Sequence, residues 1–176
     1  LPDQYFDRTK TSSRQTFFGE GLVAHVSFGD PVCGALGDIV EAAVRAELAS
    51  DPAQAGVKMH RGGTYVNMEG PAFSTRAESN YYRQFGFDVI GMTSLAEAKL
   101  CREAEICYQP VAMVTDYDCW HVAEEPVTVE MILGHLAANV ALAKKIVRRL
   151  ATARFPTPRA CAVRCGSLGM TNSPVQ

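Results

Sequence analysis

Residues 111–120 constrain the fold of this chain more than any other stretch. They begin with an apolar run typical of a strand buried in a parallel sheet, and they end in two carboxylates, Asp116 and Asp118. In open α/β sheets, ligands bind beyond the carboxyl ends of the strands, so acids at this point are well placed to meet a small molecule. Aspartate is also a common turn residue, and residue type alone leaves both interpretations open.

Strand-like and helix-like segments alternate along the rest of the chain. The patterns predict strands at residues 22–28, 64–68, 87–92 and 107–116, and helices at 30–48, 76–85, 93–104 and 127–153. Asp30 suits the N-cap of the first helix and Pro31 its first helical position, while Gly86 suits the residue that ends the second. Residues 1–21 show no period and are expected to be irregular. This order predicts an α/β fold with a central parallel sheet flanked by helices.

Composition narrows the function classes. The 176 residues are enough for one domain, here residues 1–153, followed by an irregular tail at 154–176. A net charge of -2 gives no basic surface for nucleic acid, and no apolar run approaches the roughly 20 residues that span a bilayer. The six cysteines form no C-x-x-C pair, which favours reduced thiols in a cytoplasmic protein; for Cys161 and Cys165, a disulfide and an accidental spacing both stay open.

Three motifs follow predicted strands. They read E-G-P-A-F-S-T-R-A-E-S at residues 69–79, V-I-G-M-T at 89–93 and T-D-Y-D-C-W at 115–120. In this order and spacing they closely resemble the methylthioadenosine phosphorylases, within the trimeric purine nucleoside phosphorylase family. The resemblance runs from about residue 3 to residue 150 and corresponds to the C-terminal two-thirds of that family. It implies the family's α/β fold without its N-terminal strands.

The resemblance also implies a reaction. The family cleaves the glycosidic bond of 5'-methylthioadenosine with phosphate, giving adenine and methylthioribose 1-phosphate, and a carboxylic acid can protonate the leaving purine. By motif match, Asp116 would meet N7 and the exocyclic amine, with Asp118 supporting it. Two carboxylates this close should repel each other when both are ionised, which favours a shared proton.

Other motif positions correspond to the rest of the substrate. Phe73 and Ser74 match residues that stack on and contact the purine, and Met92 matches the residue under the ribose. Thr93 matches a phosphate ligand and would stand at the start of a helix, where an anion is favoured; a plain N-cap is the alternative.

Two further features match the family's pocket for the 5'-alkylthio group. His25 matches a residue that one subunit of a trimer contributes to its neighbour's site. Val129, Ile132 and Leu133 match the apolar lining of that pocket, although a core-facing position on a long helix explains them equally well. They begin an apolar face that the periodicity of this helix predicts: Val129, Ile132, Leu133, Leu136, Val140, Ala143 and Ile146.

The chain departs from the family at the phosphate end. The glycine-rich phosphate loop and the segments bearing Arg and His are absent from it, so we expect a phosphate-binding part outside this chain, either as a separate chain or through association. No metal and no cofactor are expected, since phosphate is a co-substrate. Two alternatives remain: a phosphorylase for a 6-oxopurine nucleoside such as methylthioinosine or inosine, and an inactive fragment that binds purines or only oligomerises.

Overall fold

The computed structural model describes residues 1–10, 15–121 and 128–155. Its strands are β1 (Gln4–Asp7), β2 (Thr64–Asn67) and β3 (Val89–Gly91). Its α-helices are α1 (Gly34–Ser50), α2 (Arg76–Gln84), α3 (Ser94–Glu103) and α4 (Val129–Ala151), and a short 3₁₀ helix spans Pro52–Gln54.

The strands form one parallel sheet in the order β1-β2-β3. This confirms the predicted α/β class with a parallel sheet flanked by helices, and it confirms the strands predicted at 64–68 and 87–92 with shorter bounds. Val66 and Asn67, on the central strand, are each only 1% exposed. At the end of β3, Gly91 is glycine because a Cβ there would overlap the hydroxyl of Tyr65 on the neighbouring strand.

Strand β1 lies where the sequence predicted irregular structure, and that prediction is wrong. Tyr5 pairs with Tyr65 and Phe6 with Val66, while the ring of Phe6 packs 4.7 Å from that of Phe87. A four-residue strand between polar residues has too little periodicity to be recognised alone. Its pairing is set by β2, about sixty residues further along the chain.

Two predicted strands are absent from the described residues. Residues 22–28 form no regular secondary structure and pair with no strand, and Leu22 and Val23 are 61% and 73% exposed. Residues 107–116 are also outside the sheet, although Tyr108 accepts a backbone hydrogen bond from Cys33 at 2.8 Å. Both segments have strand composition, but a strand also needs a neighbour to complete its ladder, and the described chain offers none.

Helix α1 begins later than predicted. Its N-cap is Cys33, whose sulfur accepts from the amide of Leu36, so Asp30 is not the cap and Pro31 is not the first helical residue. The bond between the Cys33 amide and Tyr108 holds the backbone before Gly34 outside the helix. The helix then continues to Ser50, two residues past the predicted end.

Helices α2 and α3 lie where they were predicted. Thr75 and Glu78 form a reciprocal capping box at the start of α2, and Gly86 follows that helix with φ of 71°, as expected of a left-handed glycine. Glu78 also accepts a hydrogen bond from Arg8 at 3.0 Å, which ties the end of β1 to the start of α2. The hydrogen bonds from Thr75 and Arg8 hold the pKa of Glu78 below its ordinary value.

Helix α4 agrees with the predicted helix in position but only partly in its buried face. Val40 and Val44 of α1 pack against Leu142 and Ile146 of α4, and this cluster is the core between the two helices. The predicted face is therefore buried at Ile146, whereas Leu136 is 47% exposed. Val127, the predicted first residue, lies outside the described residues, as do Cys161, Cys165 and most of the predicted tail. No helix in the described part of the chain is long and apolar enough to cross a membrane.

Candidate active site

The turns that follow β2 and β3 lie against each other. After β2 the backbone passes through Gly70, which has φ of 67°, and a Cβ at Gly70 would lie 3.2 Å from the sulfur of Met92. The amide of Met68 also donates to the carbonyl of Gly91 at 2.9 Å. The first two motifs therefore meet at the carboxyl ends of neighbouring parallel strands, where a small-molecule site is expected.

The third motif joins them through Ser74. The thiol of Cys119 donates to the backbone carbonyl of Ser74 at 3.4 Å, and the Ser74 hydroxyl lies 3.7 Å from the sulfur of Met68. The Phe73 ring is 80% exposed. An aromatic face beside polar groups is thus open to a flat ligand.

The two acids lie in the same turn as Cys119. Asp116 is exposed, and its Oδ1 accepts from the hydroxyl of Thr115 at 2.7 Å. Asp118 is half-buried, and its Oδ1 accepts from the amide of Cys119 at 2.8 Å. Within the described residues the second oxygen of each carboxylate makes no hydrogen bond, so each acid can accept one from a ligand.

An aromatic cluster supports this turn. The ring of Tyr117 stacks on His121 with centroids 4.5 Å apart, and Trp120 packs edge-on against both. The guanidinium of Arg83, on α2, lies 4.1 Å from the centre of the Trp120 ring. This cation–π contact ties the acidic turn to the helix that follows the first motif.

Thr93 stands at the N-cap of α3, but its side chain makes no capping hydrogen bond. The residue is exposed. The plain N-cap interpretation of its hydroxyl is therefore wrong, and the hydroxyl is available at the end of a helix where an anion is favoured.

The remaining predicted residues lie apart from this cluster or in the open. His25 is exposed on segment 22–28, which is not a strand. At the start of α4, Val129 is 67% and Leu133 57% exposed, while Ile132 is half-buried. Their role as core residues is thus not realised in the described chain.

Sequence reasoning missed a partly buried hydroxyl network behind Thr93. The hydroxyl of Ser94 lies 2.5 Å from that of Tyr5 and 3.0 Å from that of Tyr108. Tyr108 also donates to Glu97 at 2.9 Å. Burial raises the pKa of Tyr5 and of Tyr108, so both phenols stay protonated at physiological pH. Sequence reasoning also missed Asn67. The signal that could have identified this residue is its place in the sequence, a polar side chain at the end of a buried strand.

A cavity of 590 Å³ lies at the other end of the sheet. Residues that precede the strands line it, among them Leu1, Gly63 and Asp88, together with Leu142 and Ile146 of α4. Of the three motifs, it touches Val89, the first residue of the second, and none of the residues assigned to the site. We therefore place the candidate active site at the carboxyl ends of the strands and not in this cavity.

Comparison with known proteins gives the family. The model of the family described as "Phosphorylase superfamily" matches residues 1–152. The chain belongs to the phosphorylase superfamily. Among relatives in this superfamily, S-methyl-5'-thioadenosine phosphorylase of Koribacter versatilis is 57% identical over 167 residues, which cover 95% of this chain and 53% of the relative. The enzyme of the same name from Geobacter sulfurreducens is 53% identical, covering 92% of this chain and 53% of the relative.

Solved structures agree with this placement in the phosphorylase superfamily. A methylthioadenosine phosphorylase from an antarctic soil metagenomic library superposes with a TM-score of 0.73 at 39% identity, covering 91% of this chain and 55% of that one. Methylthioadenosine phosphorylase from Schistosoma mansoni in complex with adenine gives 0.76 at 29% identity, covering 93% and 63%. The chain spans about half the length of the relatives from Koribacter and Geobacter.

Proposed function

We propose that this chain is the C-terminal part of an enzyme that cleaves 5'-methylthioadenosine with phosphate, giving adenine and 5-methylthioribose 1-phosphate in purine and methionine salvage. The observation that carries the proposal is the hydrogen bond between Cys119 and Ser74, because it joins the acidic turn to the first motif. The names of the relatives, which are 57% and 53% identical over 95% and 92% of this chain, point to the same activity.

The proposed chemistry follows the bonds that change. A phosphate oxygen bonds to C1' as the bond from C1' to N9 breaks, and the electron pair of that bond moves onto the purine. Asp116, as a carboxylic acid, delivers a proton to N7 and accepts from the exocyclic amine, so the purine leaves neutral. Asp118 supports it by sharing the proton. Phe73 and Ser74 hold the purine from one side. The exposure of the Phe73 ring supports this role.

The sugar and phosphate belong at the second motif. Met92 lies under the ribose, and the exposed hydroxyl of Thr93 binds phosphate at the start of α3. A phosphate usually has several donors, and we assign the others to a part outside this chain, whose length is about half that of its relatives. Phosphate is the co-substrate, and the reaction needs no cofactor.

The exposed apolar start of α4 suggests how the site is completed. Val129 and Leu133, with Ile132 beside them, would line the methylthio group in an assembled enzyme, which we propose to be a cytoplasmic homotrimer. His25 would reach the neighbouring subunit's site from its exposed segment. Residues 1–153 would form the phosphorylase part, with 154–176 an irregular tail.

Release of adenine from methylthioadenosine and phosphate tests this function. The chain is assayed alone and after co-expression with the N-terminal half of the Koribacter relative. Phosphate-dependent adenine release is expected from the completed protein. Its absence from both preparations, when each is folded, would show that the proposed function is wrong.

Substitution of the acids tests the residue roles. Asp116→Asn should lower kcat by about 10²- to 10⁴-fold, the usual contribution of a general acid. Asp118→Asn should shift the preference from methylthioadenosine towards methylthioinosine, because an amide can donate to a 6-oxo group. Asp38→Asn, an equivalent change on α1 where Asp38 pairs with Arg61, is the control and should change neither quantity. An unchanged substrate ratio in Asp118→Asn would contradict the base assignment.

A purine-binding fragment without catalysis is the second candidate, favoured by the short length of the chain relative to its relatives. Calorimetry with adenine, with and without inorganic phosphate, separates the two. The enzyme should bind adenine more tightly when phosphate is present, whereas an inactive fragment should show no such dependence.

A further inference from the structure

The side chain of Asn67 connects both polypeptide segments that flank Thr93. Asn67 is 1% exposed at the end of β2. Its Oδ1 accepts from the amide of Leu95 at 3.0 Å, and its Nδ2 donates to the carbonyl of Met92 at 3.1 Å. A weaker bond of 3.4 Å reaches the carbonyl of Met68. A buried amide with partners on both sides fixes the relative position of the segments it joins.

The bond to Leu95 replaces the one that Thr93 would ordinarily make. Helix α3 begins at Ser94, so the amide of Leu95 is the second of its unpaired N–H groups, and a threonine N-cap usually satisfies that group or the next. Here Thr93 has φ of -117° and ψ of -29° and makes no side-chain cap. Its hydroxyl is left for another partner because Asn67 caps the helix from the neighbouring strand.

The next residue along the chain cannot take that place. Ser94 is 8% exposed, and its hydroxyl is engaged by Tyr5 and Tyr108 in the hydroxyl network. Thr93 is thus the side chain at this helix start that faces outward.

We propose that Asn67 is a positioning residue for the candidate active site: by capping α3 and holding the Met92 carbonyl, it keeps the Thr93 hydroxyl directed at bound phosphate. This inference rests on the proposed function for its ligand, whereas the capping by Asn67 can be tested without turnover. Asn67 acts through Thr93 and Met92 and does not itself touch substrate.

Amide hydrogen exchange at Leu95, followed by NMR, tests the capping. Exchange should be faster in Asn67→Ala, because the amide loses its acceptor. It should stay close to wild type in Asn67→Asp, since a carboxylate at a helix N-terminus still accepts that bond. Val66→Ala is the matched control: Val66 is equally buried and adjacent on β2, so its truncation loosens packing while leaving the Leu95 acceptor in place.

Kinetics in the completed protein test the positioning. Thr93→Ala should raise the KM for inorganic phosphate by about tenfold or more, as expected for loss of a hydrogen bond to a charged group. In the Asn67→Ala background, Thr93→Ala should raise the KM for phosphate by less than about threefold, because the Thr93 hydroxyl is already misplaced. Asn67→Asp loses the donor to Met92, so its main effect should be on the KM for the nucleoside. Val66→Ala should change neither KM.

Faster Leu95 exchange in Asn67→Ala together with non-additive KM effects would support the proposal. Unchanged exchange in Asn67→Ala would overturn the capping, and fully additive effects of Asn67→Ala and Thr93→Ala would overturn the positioning. If Asn67→Ala does not fold, the proposal is decided by Asn67→Asp, where a nucleoside KM no different from that of Val66→Ala would overturn it. If no preparation cleaves a nucleoside, the proposed function is wrong, and unchanged or accelerated Leu95 exchange still decides whether Asn67 caps α3.

Discussion

The turn from β3 into α3 and the turn at residues 115–121 both follow apolar segments, yet they are held very differently. In the first, Leu95 is 2% exposed, and buried side-chain hydrogen bonds from Asn67 reach both sides of Thr93. In the second, Val114 is 63% and Tyr117 69% exposed. The side chains proposed for the sugar and phosphate are thus held by buried residues beneath them. Those proposed for the purine lie in a more exposed turn.

The difference shows what a sheet contributes to a site. The β3 segment is paired with β2, so its polar end is fixed relative to its neighbour. Residues 111–114 have no strand partner in the described chain, although the side-chain amide of Asn139 on α4 donates to the carbonyl of Val114 at 3.0 Å. Isolated contacts of this kind restrain a turn less than a ladder does. The acidic turn consequently depends on a few side chains.

The largest expected effect contrasts the two regions directly. Leu95→Ala should lower the free energy of unfolding by about 2–5 kcal/mol, because it removes a fully buried side chain and leaves a cavity. Val114→Ala, a truncation at an exposed position, should change it by less than about 0.5 kcal/mol. Chemical denaturation of both variants measures the contrast, and equal losses would show that residues 111–114 are as well packed as the start of α3.

An intermediate effect concerns the pH dependence of stability that arises from the hydrogen bonds to Glu78 in the first motif. The pKa of Glu78 is held low by Thr75 and Arg8, so its contribution is complete above the pKa of an unfolded glutamate and is lost as pH falls through the lower folded value. Glu78→Gln should therefore be less stable than wild type at neutral pH, with the two curves converging in acid.

Thermal unfolding between pH 3 and 7 measures this convergence. The pKa of Asp51 is likewise lowered, by its hydrogen bond to Lys145 at 2.6 Å. Asp51 shares no contact with Glu78 and therefore serves as an independent second carboxylate. Glu78→Gln combined with Asp51→Asn should flatten the pH dependence more than either change alone. A constant gap between Glu78→Gln and wild type at every pH would contradict the interpretation.

The smallest expected effect sharpens the description of the open turn. Trp120 is the sole tryptophan of the chain, so its fluorescence reports on this turn. Arg83→Ala should remove about 0.5–1 kcal/mol of cation–π stabilisation and increase quenching of Trp120 by acrylamide. Arg45→Ala, which breaks an exposed pair with Glu41 on α1, is the control. Equal quenching in both variants would mean that Arg83 does not restrain the turn.

The sequence was sufficient for the elements whose signals are local. Gly86 marked the end of helix α2 in the sequence, and its capping residues Thr75 and Glu78 are also local, so the position of this helix depends on neighbouring residues. The proximity of the first two motifs also followed, because parallel strands end at one edge of a sheet. The roles assigned to their side chains came from the resemblance and stay predictions.

Features that depend on distant partners could not be predicted. Strand β1 is defined by its pairing with β2, and the segment at 107–116 has strand composition without a strand partner in the described residues. The role of Asn67 arises only when β2 and α3 are neighbours, since its partners are 25 and 28 residues away. Periodicity describes one segment at a time and carries no information about such pairs.

The close approach of the Tyr65 hydroxyl to Gly91 limits which substitutions these two positions can accept during evolution. A side chain at position 91 would overlap the hydroxyl of Tyr65, so it requires the tyrosine ring to move or to be replaced. Homologues that carry any larger residue at position 91 should have a shorter one at position 65. The two sites, 26 residues apart on adjacent strands, are therefore expected to co-vary.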